Sequence, residues 1–206
     1  TEQDQRKESY YAIRQNWNSN VEKIPGLSKT QRAKRTAKTL FLNKTCFNGL
    51  FRVNSKGEFN VPIGSYVNPS FPSSESLLDV QRALQSVTIH EAPFEECENW
   101  IDETSFVYFD PPYRPLSATS HFVSYSKGDF NDEDQKRLAT FFRTLDKTGA
   151  KLLLSNSDPK NTNPNDEFFD NLYSKFTIER VSANRAINSK GSKRGPINEL
   201  LIRNYP

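Results

Sequence analysis

A β-type run at residues 105–109 is stopped by two consecutive prolines, Pro111 and Pro112, and no other feature restricts the fold as much. Neither proline can donate to a ladder and both fix φ. The chain must therefore leave a sheet at Asp110-Pro111-Pro112-Tyr113, with Asp110 at the carboxyl end of a strand. Helical spacing covers residues 8–17 and 28–42, with Ser28 as a cap, and a further helix is predicted near 73–84. Strand patterns follow at 87–90 and 105–109, then an amphipathic helix at 132–145, a buried-type strand at 151–155 and a helix at 167–173. Two tail strands, 176–182 and 198–202, flank a Gly- and Lys-rich loop. This alternation predicts an α/β parallel sheet. Residues 50–61 break the pattern, because two short runs around Asn54-Ser55-Lys56-Gly57 read as a hairpin with a glycine-bearing turn.

Composition narrows the function classes. The chain has 206 residues, of which 34% are hydrophobic. No stretch approaches the roughly 20 apolar residues of a membrane span, and no charged start leads into an apolar run, so a soluble chain with no membrane partner is expected. Cys46 and Cys97 form no CxxC, and His90 and His121 match no zinc spacing, which points to a reducing compartment and no metal. The charge is uneven. Residues 1–66 carry 12 basic and 5 acidic side chains, whereas residues 67–206 carry 16 and 20. No acidic residue lies between Glu22 and Glu58, an interval holding Lys29, Arg32, Lys34, Arg35, Lys38 and Lys44. This is either an anion-binding surface or a solvated helix face.

The proline corner offers three groups to a ligand. Asp110 can accept a hydrogen bond from an exocyclic amine, the Pro111 carbonyl has no ladder partner, and Tyr113 presents a ring for stacking on a base. Pro111 and Pro112 fix the backbone, so the acceptors are set in advance of reaction. Group transfer to an aromatic amine is the chemistry such a corner suits; the alternative is a plain turn with a packed tyrosine. A Ser/Thr-rich segment, 115–125, follows and suggests a mobile loop beside a site.

Three blocks carry a family resemblance: FLNKTCFNGLFRVNSKGEFNVPIGSY at 41–66, VYFDPPYRPLSATSHFVSY at 107–125, and SKGSKRGPINELL in the tail. Together they resemble the α-type (D12 class) N6-adenine DNA methyltransferases, close to the Dam-like GATC enzymes. The resemblance implies an α/β fold: a Rossmann-like S-adenosylmethionine-dependent methyltransferase sheet, incomplete at its N-terminus, with a helical and β-hairpin DNA target-recognition domain. Residues 1–85, with hairpin 50–61, would be the recognition region, and 86–206 the C-terminal part of the catalytic domain. It implies S-adenosyl-L-methionine as cofactor, double-stranded DNA as partner, a cognate restriction endonuclease as a further partner, and a prokaryotic or phage cytoplasmic setting.

Carried over by residue, Asp110 and Pro111 resemble the acceptors of the target N6, Pro112 the rigid link, and Tyr113 the ring over an extruded adenine. Asp110 and Phe94 match positions beside the cofactor. Phe47, Asn48, Gly49, Leu50, Arg52, Asn60 and Pro62 match recognition positions, in keeping with arginine as the usual partner of guanine and with apolar contact to thymine. Phe47 is open to two readings, a wedge into the duplex or a core ring. Lys190, Lys193 and Arg194 suit phosphate contact or an untethered basic loop. Ser65 stands where the GATC enzymes often carry arginine. The FxGxG cofactor turn of the family is absent, so the chain reads as the carboxyl two-thirds of an enzyme that alone would bind cofactor poorly. Competing readings are a non-catalytic DNA-binding module and methylation of cytosine N4 or RNA. The DPPY and NGLFR blocks favour adenine in DNA.

Overall fold

The computed structural model describes residues 2–19, 26–116, 130–184 and 196–206. They fall into two compact units, one ending at His90 and the other beginning at Glu91. Lys190, Lys193, Arg194, His121 and most of the Ser/Thr-rich segment lie outside the described residues. Among the described residues no helix is long and apolar enough to cross a membrane.

The first unit is built on α1 (Glu2–Asn18) and α2 (Lys29–Thr45). Helix α1 begins earlier than the periodicity predicted, and Glu2 and Asp4 suit the positive end of its dipole. Ser28 and Gln31 form a capping box on α2: the Ser28 hydroxyl accepts from the Gln31 N–H, and the Gln31 side chain accepts from the Ser28 N–H. Tyr10, Trp17, Leu42, Cys46, Phe59 and Val61 form the core. The Arg35 guanidinium lies 4.0 Å from the centre of the Trp17 ring and donates to the Trp17 carbonyl, so this basic residue of α2 is committed to packing.

The hairpin is held by a helix more than by its own ladder. Its limbs share one antiparallel bridge, Val53↔Phe59. Gly57 sits at φ +76°, and the Asn54 side chain accepts from the N–H groups of Lys56 and Glu58 to close the turn. The returning limb is fastened to α1. Asn18 accepts from the Phe59 N–H at 2.8 Å and donates to the Phe59 carbonyl at 3.1 Å, and the Tyr10 hydroxyl donates to the Val61 carbonyl at 2.9 Å. Asn18 thus does for Phe59 what a neighbouring strand would do.

Helix α3 (Ser74–Ala83), capped by Ser73, leads through a tight turn at Leu84–Ser86 into residues 87–90. The expected strand at 87–90 does not form. Val87 and Ile89 favour extended backbone, but a strand exists only where a neighbour supplies hydrogen bonds, and none pairs there among the described residues. Ile89 is 78% exposed.

The second unit contains β1 (Phe106–Phe109), α4 (Asp132–Asp146), β2 (Lys151–Ser157), α5 (Phe168–Leu172), β3 (Thr177–Asn184) and β4 (Pro196–Arg203). The sheet order is β1-β2-β4-β3. Strands β1 and β2 are parallel, while β4 is antiparallel to both β2 and β3. The sheet is therefore mixed, correcting the parallel sheet expected from the alternation. Helix α4 provides the crossover that a parallel β1–β2 pair needs; no helix is described between β3 and β4, and they pair antiparallel. Register aligns Phe109, Leu154 and Ile202 across the core face. Against that face α4 buries Leu138, Ala139, Phe142 and Leu145, the stripe of an amphipathic helix, and Phe169 and Tyr173 complete the cluster.

Replacing Asn18 with Ala would leave the buried Phe59 peptide groups without their partners. We expect a loss of about 1–3 kcal/mol in urea unfolding and faster amide exchange at Phe59, with α2 protected as before.

Candidate functional site

The β1–β2 ladder ends at Phe109↔Leu154, so Asp110 leaves the sheet beside Ser155, which stays in β2 paired with Leu201 of β4. The Ser155 hydroxyl donates to Asp110 Oδ1 at 3.2 Å and lies 2.9 Å from the Tyr108 hydroxyl. Behind the corner, two wholly buried amides form a relay. Asn156 Oδ1 accepts from the Arg114 N–H at 3.0 Å, Asn156 Nδ2 donates to Gln135 Oε1 at 3.2 Å, and Gln135 Nε2 donates to the Pro112 carbonyl at 3.0 Å. The Ser157 hydroxyl donates to the Arg114 carbonyl at 2.6 Å. Peptide groups on both sides of Tyr113 are therefore fixed by side chains from β2 and α4. Among the described residues no donor reaches the Pro111 carbonyl.

Arg114 extends this support. Its Nε and Nη2 donate to the two carboxylate oxygens of Asp132 at 2.8 and 3.0 Å, and Nη1 donates to Asp166 at 2.8 Å. The guanidinium carbon lies 4.3 Å from the Phe168 ring centre. Hydrogen bonding to Asp132, with further help from Asp166, raises the Arg114 pKa despite burial. Burial works against ionisation of Asp166, but hydrogen bonds from Arg114 and the Phe168 N–H, with the Arg114 charge, outweigh it and hold that carboxyl below its ordinary range.

The face of the corner is open. Asp110 is exposed and Tyr113 is 38% exposed. Burial pushes the Tyr113 phenol up, opposed by Ser155, with the charges of Glu199 and Asp110 adding to the rise. Phe94 belongs to a 3-10 segment, Phe94–Trp100, where it is half-buried against Phe141 with the Arg137 guanidinium 5.0 Å from its ring centre.

In the first unit, the structure brings the hairpin candidates into two groups. Asn48 and Gly49 adopt φ of +56° and +62°, and this pair of left-handed residues bends the chain sharply after α2. The Asn43 side chain donates to the Gly49 carbonyl and the Phe47 N–H donates to the Pro62 carbonyl at 2.9 Å, which ties the bend to the returning limb. Phe47 is 53% exposed, outside the core, whereas Leu50 packs against it. The second group is Arg52 and Asn60: both are exposed, Arg52 Nε donates to Asn60 Oδ1 at 2.9 Å, and the Asn60 N–H donates to the Arg52 carbonyl at 3.2 Å. Among the described residues no group of three or more His, Cys, Asp or Glu could hold a metal.

Comparison with known proteins shows the family. The family model for the D12 class N6 adenine-specific DNA methyltransferase matches residues 1–187. The chain belongs to that family. The D12-class chain is 51% identical over 205 residues to the type II methyltransferase M.MjaIII of Methanocaldococcus jannaschii, covering 99% of this chain and 67% of that protein. It is 36% identical over 200 residues to a DNA adenine methylase of Vibrio cholerae, covering 97% and 66%. It is 39% identical over 181 residues to the type II methyltransferase M1.LlaDCHI of Lactococcus lactis, covering 87% and 61%. The chain thus spans about two thirds of the length of these three relatives. Their names include both type II and DNA adenine methylase forms, and the family implies S-adenosylmethionine as methyl donor.

Sequence reasoning passed over Arg114, Gln135, Ser155, Asn156, Ser157 and Asp166 in this D12-class site. A signal was present for four of them. Ser155, Asn156 and Ser157 are polar residues continuing a run of leucines in a buried strand, and Gln135 lies three residues before Leu138 on the apolar stripe of α4. Arg114→Gln would leave Asp166 and Asp132 without their cation. We expect a loss of about 2 kcal/mol, below the cost for a fully buried pair because Asp132 is half exposed to screening solvent. The Asp166 pKa is depressed on folding, so its contribution is present above the unfolded aspartate value near ~3.9 and is lost as pH falls below it. Urea midpoints measured from pH 6 down to pH 2.5 should fall less steeply in the variant.

Proposed function

We propose that this chain is the recognition and catalytic part of a site-specific DNA methyltransferase that moves a methyl group from S-adenosylmethionine to N6 of adenine in duplex DNA, within GATC. The observation that carries this reading is the open corner at Asp110–Tyr113: Asp110 and Tyr113 are exposed and Pro111 is half-buried, while the peptide groups behind them are fixed by buried amides. A rigid pair of acceptors and a ring are what an exocyclic amine on a flat base needs. The mixed sheet, with β1, β2 and β3 running one way and β4 the other, is consistent with a methyltransferase fold of the S-adenosylmethionine type.

N6 inside a duplex is out of reach, so the adenine must be swung out of the stack to meet the corner. Tyr113 then stacks on the base. The Pro111 carbonyl and the Asp110 oxygen not held by Ser155 accept the two N6 protons, which turns the nitrogen lone pair outward. The proton lost on alkylation passes to Asp110. No covalent bond to the enzyme is formed, in keeping with the lack of a nucleophilic cysteine at the corner. S-adenosylmethionine, when bound, supplies an electrophilic methyl carbon. The exposed carboxylate of Asp110 fits a place beside it, and Phe94, half-buried in the same unit, is the residue we assign to its adenine.

Recognition falls to residues 1–85. A two-stranded ribbon fits the major groove, and Arg52, steadied through Nε by Asn60, is suited to bidentate donation to guanine O6 and N7. Leu50 and Pro62 offer apolar contact to thymine, and exposed Phe47 is suited to wedge into the stack where adenine leaves. Lys190, Lys193 and Arg194 would add phosphate contacts.

Two substitutions in the full-length protein test this reading. Asp110→Ala should abolish methylation of a GATC duplex while DNA affinity stays within a few fold; equal loss of both would sink the catalytic role. Arg52→Ala should cost about 1–3 kcal/mol in binding and relax preference at one base pair, whereas a uniform loss over all sequences would mark a phosphate contact.

A further inference from the structure

We infer that Ser155 is a positioning residue for Asp110, and that its hydroxyl, oriented by Tyr108, fixes which carboxylate oxygen faces the target amine. The inference rests on the role proposed for Asp110. Its basis is a directed chain of hydrogen bonds on the face of the sheet opposite α4. A serine hydroxyl has one proton to donate. An ionised Asp110 accepts but cannot donate, so with the Ser155 proton on Oδ1 the 2.9 Å contact with Tyr108 is a bond from the tyrosine to the Ser155 oxygen, which the Tyr113 hydroxyl also meets. The direction of the whole chain, Tyr108 to Ser155 to Asp110, is thereby set.

Register explains why these three meet. Tyr108 pairs with Leu153, and the residues two further along each strand are Asp110 and Ser155, all on one face. Ser155 is 3% exposed, while Asp110 is exposed. A free aspartate at the end of a strand would rotate about χ1 and χ2 in solvent. A donor buried in the sheet and aimed at Oδ1 restrains that rotation and leaves Oδ2 for the substrate. In the transfer step the new bond is N6 to methyl carbon, the bond broken is methyl carbon to sulfur, and the N6 proton leaves to Asp110. Ser155 keeps its own proton throughout and acts by geometry alone.

The test compares Ser155→Thr with Ser155→Val in the full-length protein. The two side chains have nearly the same shape, so any cost of crowding falls on both, but only threonine keeps the hydroxyl. Single-turnover methylation of a GATC duplex should be at least tenfold slower in Ser155→Val than in Ser155→Thr, with KM for DNA and for S-adenosylmethionine matched between them. Equal rates within twofold, or a difference confined to KM, would overturn the positioning role. Asp110→Asn is measured alongside. If it loses turnover while the Ser155 pair are equal, only the positioning inference fails; if it keeps full turnover, the role of Asp110 itself fails.

Discussion

Backbone that leaves a sheet at two prolines cannot satisfy itself, and the rest of the second unit is arranged around that need. The peptide groups of Pro112 and Arg114 have no ladder to join, and burying them without partners would cost more than the packing of one side chain returns. Side chains from β2 and α4 meet the need. The buried polar residues among those described are Gln135, Ser155, Asn156, Ser157 and Asp158, and four of the five are consecutive, three closing β2 and Asp158 just beyond it. The strand is apolar where it crosses the core and polar where it reaches the corner. Asp158 continues the pattern outward, accepting from Arg180 at 2.9 Å while Arg180 also binds Asp170, so β3 and α5 are tied to the same end of the sheet.

The first unit solves a different problem with a similar device. A hairpin with one bridge is marginal in water, yet a hairpin that reads DNA must hold its side chains in fixed register. Helix α1 supplies the missing edge through Asn18, Tyr10 and Arg14, each bonding backbone of the returning limb. The basic residues of α2 divide accordingly: Arg35 is spent on Trp17, while Lys29, Arg32 and Lys34 remain exposed on the surface. Charge counting alone could not separate the two groups, because the distinction depends on which face of α2 meets α1.

Local signals were legible and pairings were not. The proline stop, the Ser28 cap, the Gly57 turn and the stripe on α4 each follow from a few neighbouring residues. Strand order depends on contacts distant in sequence, so the insertion of β4 between β2 and β3 left no mark in the alternation from which a parallel sheet was read. The run at 87–90 shows the opposite error: its residues favour extended backbone, but propensity does not create a partner. At the site, the exposed groups that touch substrate in our proposal were found from sequence, since Asp-Pro-Pro-Tyr states its chemistry in four letters. Their buried supports were missed because Gln135 and Asn156 occupy positions that periodicity assigns to apolar side chains.

Arg114 shows how the support becomes a single mechanical piece. Its fork holds both oxygens of Asp132 in the first turn of α4, and Gln135 is one turn further along the same helix. Docking that turn by a bidentate pair fixes the helix in rotation as well as distance, which is what the amide of Gln135 needs to reach the Pro112 carbonyl. A lysine at 114 could supply charge but not the fork, and would leave Asp166 and Asp132 competing for one ammonium. One guanidinium therefore ties the residue that follows the corner to the first turn of α4, so the support behind the acceptors and the helix that carries Gln135 are held as one piece.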